Sequence, residues 1–152
     1  MLRRRIAPLV LRRTKADPLI APELPNKIER DLVVGLSSEQ CALYDAAVAE
    51  ALDRISDAEG IARRGLVLAL LTSLKQICNH PAHYLDDGGP LDGRSAKLEA
   101  FDDLIDGARE ARDDGRAEPT LVFTQYVAMA KLLASHLTAR GISHAVLHGG
   151  LS

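Results

Sequence analysis

The stretch Asp86-Asp87-Gly88-Gly89-Pro90, closed by Gly93, most constrains what this chain can fold into: no regular element passes through it, and the hydrophobic period differs on its two sides. Before it, apolar residues recur at helical steps. Tyr44, Ala47, Val48, Ala51, Leu52 and Ile55 fall three or four residues apart, and a second, Leu-rich run extends from about Ile61 to Asn79 and stops ahead of Pro81. Ser37 and Gln40 have the Ser-x-x-Gln spacing of a capping box, so a helix is expected to start there and to end or bend at Gly60. Glu50 and Arg54 form an outward i,i+4 pair on it. Two such helices in succession predict a helical hairpin projecting from a sheet domain.

After the Gly-rich stretch the pattern becomes mixed. Ser95 is suited to cap a helix with Leu98, Phe101, Leu104, Ile105 and Ala108 on one face and Asp102, Asp103, Asp106 and Glu110 toward water. Leu121-Val122-Phe123 reads as a short buried strand, and Met129, Leu132, Leu133 and Leu137 mark an amphipathic helix closed by Gly141. Ala145-Val146-Leu147 then reads as a second strand. Strand, helix and strand together predict a right-handed parallel unit whose ligand edge lies where each strand ends. Thr124 and Gln125 fall on that edge, and so do His148, Gly149 and Gly150. Near the other end of the chain, Pro18, Pro22 and Pro25 force an extended connector, and the alternation of residues 27–34 predicts a strand.

Composition narrows the function classes. Aromatics make up only 3% of the 152 residues, so the core must come from Leu, Val, Ile and Ala, which favours a helix-rich fold. The longest uncharged apolar run, Gly65 to Leu74, is cut by Lys75 and is too short to span a bilayer, so no membrane role is expected. Arg3, Arg4 and Arg5 precede an apolar stretch that contains Pro8 and runs into Arg12, which is not the pattern of a signal peptide. Two cysteines without framework spacing suit a reducing compartment, and 14 Arg against 5 Lys point to a bacterial cytoplasm. Residues 1–30 carry eight Lys/Arg against three Asp/Glu, whereas residues 31–152 carry eleven against eighteen. Such a basic head can neutralise phosphates, or pair with acidic groups of the same protein, the reading that the residues alone favour.

Most chemical constellations fail on inspection. Cys78, His80 and His83 cluster at one helix end, with only the distant Cys41 as a fourth ligand, which falls short of a zinc site. There Cys78 is expected to pack as a small hydrophobe, with Asn79 and His80 satisfying backbone groups at the helix break. The acidic pairs 86/87, 102/103 and 113/114 read as solvated surface, and His136 and His144 as isolated. No Gly-x-x-x-x-Gly-Lys-Ser/Thr loop and no Asp-Glu-x-His box occur, so the chain cannot assemble the usual ATP site. Gly149-Gly150 after a strand is a weak phosphate-binding signal on its own.

Taken in order, Leu11-Arg12-Arg13-Thr14-Lys15, Leu24-Pro25-Asn26-Lys27, Leu36 to Gln40 with Tyr44, Cys78-Asn79-His80-Pro81, Ser95-x-Lys97-Leu98, Val122 to Tyr126 and Leu147-His148-Gly149 form a specific series. It resembles the SWI/SNF-type, helicase-like DNA translocases of superfamily two. The resemblance implies an α/β fold of partial RecA-like lobes with a helical protrusion. Residues 1–36 would end the first lobe, 37–93 would form the protrusion and inter-lobe linker, and 94–152 would begin the second lobe, so that the chain is a segment of a longer motor. It further implies that Thr124, Gln125, His148, Gly149 and Gly150 face the backbone of double-stranded DNA. Arg12, Arg13 and Lys15 match the family's basic element, either touching DNA or tying lobes together. ATP and magnesium would act in the intact motor, with the missing lobes as partners and a DNA-bound protein complex as a further one. Ala96 replaces the family's usual Gly in Ser-Gly-Lys-Leu, which matters only if that position needs positive φ. A non-catalytic α/β interaction domain derived from such a motor is the alternative from another class, and an RNA helicase of the same superfamily is a third. Apolar surface that other parts should cover predicts aggregation in isolation.

Overall fold

The computed structural model describes residues 27–110 and 119–150, and the chain divides after Leu32 into two units. In the first, the Lys27 ammonium pairs with Glu29 at the surface. The described residues of the second hold five helices: α1 (Ser38–Ser56), α2 (Gly60–Asn79), α3 (Pro81–Leu85), α4 (Ala96–Glu110) and α5 (Val127–Ala139). Among the described residues no helix is long and apolar enough to cross a membrane.

The predicted helix starts hold because their signals are local. The Ser37 hydroxyl accepts from the Gln40 amide at 3.1 Å, and the Gln40 side chain accepts from the Ser37 amide at 3.0 Å, completing the capping box. Gln40 does more than the spacing foretold: it is fully buried, and its Nε2 donates to the Ile77 carbonyl at 2.7 Å, joining the start of α1 to the end of α2. Gly60 does not end α1, which stops at Ser56. At φ +56° it begins α2 instead, a conformation that favours glycine. At the far end of α5, Gly141 takes φ +68°, its amide donates to Thr138 and the Ile142 amide to Leu137, the paired bonds of a Schellman cap.

The last turn of α2 organises the middle of the molecule. Its Gln76 carbonyl takes the His80 amide, its Ile77 carbonyl takes Gln40, and its Asn79 carbonyl takes the Ser95 hydroxyl at 2.8 Å. These are carbonyls that a helix end leaves without intrahelical partners. His80, wholly buried, accepts from the Ala82 amide through Nδ1 at 3.0 Å and caps α3. Its Nε2 therefore carries the proton and donates to the Leu91 carbonyl at 2.9 Å. Burial holds its pKa below the ordinary 6.5, in keeping with that neutral tautomer. Cys78 is only half-buried, a departure from its expected packing.

The Gly-rich stretch is a clasp. Arg94 donates to Glu39 at 2.6 Å and Asp87 at 2.8 Å, and to the Pro90 carbonyl at 3.2 Å, while the Arg94 carbonyl takes the Ser37 hydroxyl at 2.8 Å. The guanidinium holds both carboxyls below their usual range. Ala96 opens α4 and is not among the residues with positive φ, so the missing glycine introduces no strain there.

Ala47, Ile55, Ile77, Ala82, Leu98, Ile105 and Met129 form the core. No residue of 27–34, 121–123 or 145–147 is assigned to a strand, so the three strand expectations are not met as local structure among the described residues. Val33, Phe123 and Leu147 are each about nine-tenths exposed. A strand of three apolar residues has no stability without a neighbour to take its backbone hydrogen bonds, and no such neighbour lies among the described residues.

The reading of Asp102 and Asp106 as solvated, and of His136 as isolated, is corrected. Asp102 accepts from His136 Nε2 at 2.8 Å and from Arg140, and Asp106 accepts from Arg140 at 2.7 Å. The polar side of α4 is thereby bound to one face of α5, where His136 and Arg140 stand an i,i+4 step apart. The third acidic pair, 113/114, lies outside the described residues.

Candidate nucleic-acid interface

Three helices and the segment ahead of α5 enclose an open cavity of about 390 Å³. Lys75, Cys78 and Asn79 come from α2, Lys97, Leu98 and Phe101 from α4, and Met129 and Leu133 from α5. Residues 122–126 complete the lining and bring Thr124 and Gln125 into it. This size suits a small ligand or a protruding part of a larger one.

Local geometry leaves the polar groups of that segment available. The Thr124 hydroxyl accepts from the Tyr126 amide at 3.3 Å, so its own proton can be donated outward. Gln125 is exposed, and Tyr126 makes no side-chain cap for α5, so the first amides of that helix add positive partial charge beside the cavity. Behind Tyr126 stands His83, buried, with ring centroids 4.8 Å apart at 68°. Its Nδ1 has no hydrogen-bond partner among the described residues, and burial first, then the neighbouring His80, lowers its pKa.

The other sequence-predicted residues do not join this cavity. His148, Gly149 and Gly150 are absent from its lining. His148 Nδ1 accepts from the Gly150 amide at 3.1 Å, so the turn closes on itself and leaves the Gly149 amide as its open donor. Arg12, Arg13 and Lys15 lie outside the described residues. Sequence reasoning missed Lys75 and Lys97 as site residues, although Lys75 was conspicuous as the cation ending the longest uncharged apolar run.

Comparison with known protein families matches residues 1–83 to the SNF2-related domain. The chain belongs to the SNF2 family. YwqA of Bacillus subtilis, a candidate ATP-dependent helicase/translocase, is 40% identical to this SNF2-family chain over 134 residues, covering 87% of it. The DNA excision repair protein CSB of Oryza sativa is 31% identical over 148 residues, 91% of the chain. The SWI2/SNF2 ATPase core of Sulfolobus solfataricus, solved in complex with double-stranded DNA, superposes on 99% of the chain with a TM-score of 0.75 and 36% identity. That neighbour fixes the fold as that of the RecA-like lobes of a SWI2/SNF2 core, rich in helix here. The chain spans 14% of YwqA, 11% of the rice protein and 31% of the archaeal chain.

The sequence has no phosphate loop or acidic magnesium box, and the described residues hold no group of three or more His, Cys, Asp or Glu placed for a metal ion. No step of ATP hydrolysis is assigned to these residues.

Proposed function

We propose that this chain is the part of an ATP-dependent translocase on double-stranded DNA that joins the two motor lobes and begins the second. Thr124 and Gln125 hold the DNA backbone. The observation that carries this reading is the likeness of nearly the whole chain to a motor core solved with duplex DNA, together with an exposed Thr124-Gln125 at a cavity beside the start of α5. A hydroxyl and an amide at that position suit phosphate oxygens, contacts that fix register without reading sequence. Residues 1–36 close the first lobe, 37–93 form the protrusion and linker, and 94–152 open the second. ATP and magnesium act elsewhere in the motor, between parts that carry the phosphate loop and the acidic box. Arg12, Arg13 and Lys15, and the turn at His148, Gly149 and Gly150, add contacts on the same duplex. The work is done at the nucleoid of a bacterial cytoplasm, on a DNA-bound protein complex.

Binding of a fluorescent 20-base-pair duplex across a salt series tests this. The full chain should bind, and Thr124→Ala with Gln125→Ala should weaken binding at every salt concentration. A chain indifferent to duplex, or a double variant that binds as well as the parent, contradicts the assignment.

A further inference from the structure

We propose that Lys75 and Lys97 are two further phosphate-contacting residues for duplex DNA, with Asn79 as the positioning residue for the second; this rests on the reading of Thr124 and Gln125 given above. The two ammonium groups come from different helices, α2 and α4, and line the same cavity as Thr124 and Gln125. Among the described residues no Asp or Glu lines it. That is unusual for the part of the chain after residue 30, where carboxylates outnumber Lys and Arg by eighteen to eleven. Positive charge has been gathered where the polar donors are, which is the arrangement an anion requires.

The way Lys97 is held favours a ligand over a structural tie. Its Nζ donates to Asn79 Oδ1 at 3.0 Å. A carboxylate at position 79 would orient the ammonium and neutralise it together, whereas the neutral amide orders the side chain and leaves its full charge and two of its three protons for another acceptor. Asn79 is itself fixed, as the last residue of α2, by the Ser95 hydroxyl on its carbonyl. Lys75, one turn back on α2, is exposed and has no hydrogen-bond or ionic partner among the described residues. Lysine serves such contacts as a compact charge that tolerates a moving phosphate better than a rigid fork. The Cys-Asn-His-Pro and Ser-x-Lys-Leu stretches, eighteen residues apart at Asn79 and Lys97, thus meet at one phosphate-facing edge.

The test measures the salt dependence of duplex binding for the full chain and for Lys75→Gln, Lys97→Gln, Asn79→Asp and the Thr124→Ala/Gln125→Ala pair, with thermal melting of each as the folding control. Each lysine variant should bind three- to ten-fold more weakly in low salt. Each should also lower the slope of log affinity against log salt by about 0.9, the value for one fewer phosphate neutralised, equally on unrelated sequences. Asn79→Asp keeps the hydrogen bond but neutralises Lys97, so it should lower the slope like Lys97→Gln with no loss of melting temperature. A purely structural Asn79 would leave the slope unchanged. Unaltered slopes in both lysine variants overturn the inference. If the Thr124/Gln125 variant still weakens binding, the function proposed above survives that failure. Lower slopes in the lysine variants with no effect of the Thr124/Gln125 pair would instead uphold the lysines and remove the roles given to that pair. A chain that binds no duplex overturns both.

Discussion

The Gly-rich clasp at 86–95 and the segment at 121–126 are both short, irregular connections into a helix, yet one is closed by its own contacts and the other stands open. In the clasp, Arg94 bridges Glu39 and Asp87, His80 reaches the Leu91 carbonyl, and the Ser37 and Ser95 hydroxyls bind carbonyls across the fold. In the other, Leu121 and Phe123 are 84% and 88% exposed, and the Thr124 hydroxyl reaches only its own turn. Polar groups can be satisfied by single residues brought from anywhere in the chain, one bond at a time. A strand cannot, because its backbone groups come in a row and need a neighbouring strand to meet them together. Composition alone misleads here, since glycine marks the ordered connection and β-branched and aromatic residues mark the open one.

Substitutions put this contrast at risk. The largest effect is expected beneath the clasp, where Ile77 is completely buried: Ile77→Ala should cost about 2–5 kcal/mol of unfolding free energy in urea titration. Arg94→Ala removes the charged hydrogen bonds to two carboxylates and should cost about 1.5–3 kcal/mol, and Arg94→Lys should recover only part of that, because a compact ammonium cannot reproduce the paired bonds of the planar guanidinium to both Glu39 and Asp87.

Acid should act on the same region. His80 and His83 have folded pKa values held below 6.5 by burial, so the folded state resists their protonation while the unfolded chain accepts it. Their contribution is complete above pH 6.5 and is lost as the pH falls from there through the folded values. A second loss follows below about 4.5, where Glu39 and Asp87 are protonated away from Arg94. Melting temperature should therefore be level from pH 8 to 7 and fall in two stages below. His80→Gln should remove part of the first stage and leave the second. The smallest effect is expected in the open segment: Phe123→Ser should change stability by less than about 0.5 kcal/mol while reducing self-association in sedimentation.

What could be read from the sequence follows the same division. The Ser37–Gln40 box, the Gly141 cap and the exposed Glu50–Arg54 pair were legible because each lies within four or five residues of its partner. Arg94 with Glu39, 55 residues apart, and His136 with Asp102, 34 apart, carry no local signature, so Asp102 read as solvated and His136 as isolated. The strand readings followed residue type, which reports a preference for a pleated surface, whereas a strand exists only where a neighbour supplies one. At the candidate site, the family's motif order singled out Thr124 and Gln125, which line the cavity. Lys75 and Lys97 were not legible as site residues, because only the packing of α2 against α4 makes them neighbours.

Hydrogen exchange of the full chain, with and without a 20-base-pair duplex, tests the account most directly. The amides of His80, Ala82, His83, Asp86, Leu98 and Glu99, each hydrogen-bonded within the fold, should exchange slowly in both conditions, and those from 122 to 126 should exchange fast in the free chain and slow when duplex is added. Unchanged exchange at 122–126 under conditions where the duplex is bound, or rapid exchange at those six amides, would contradict it.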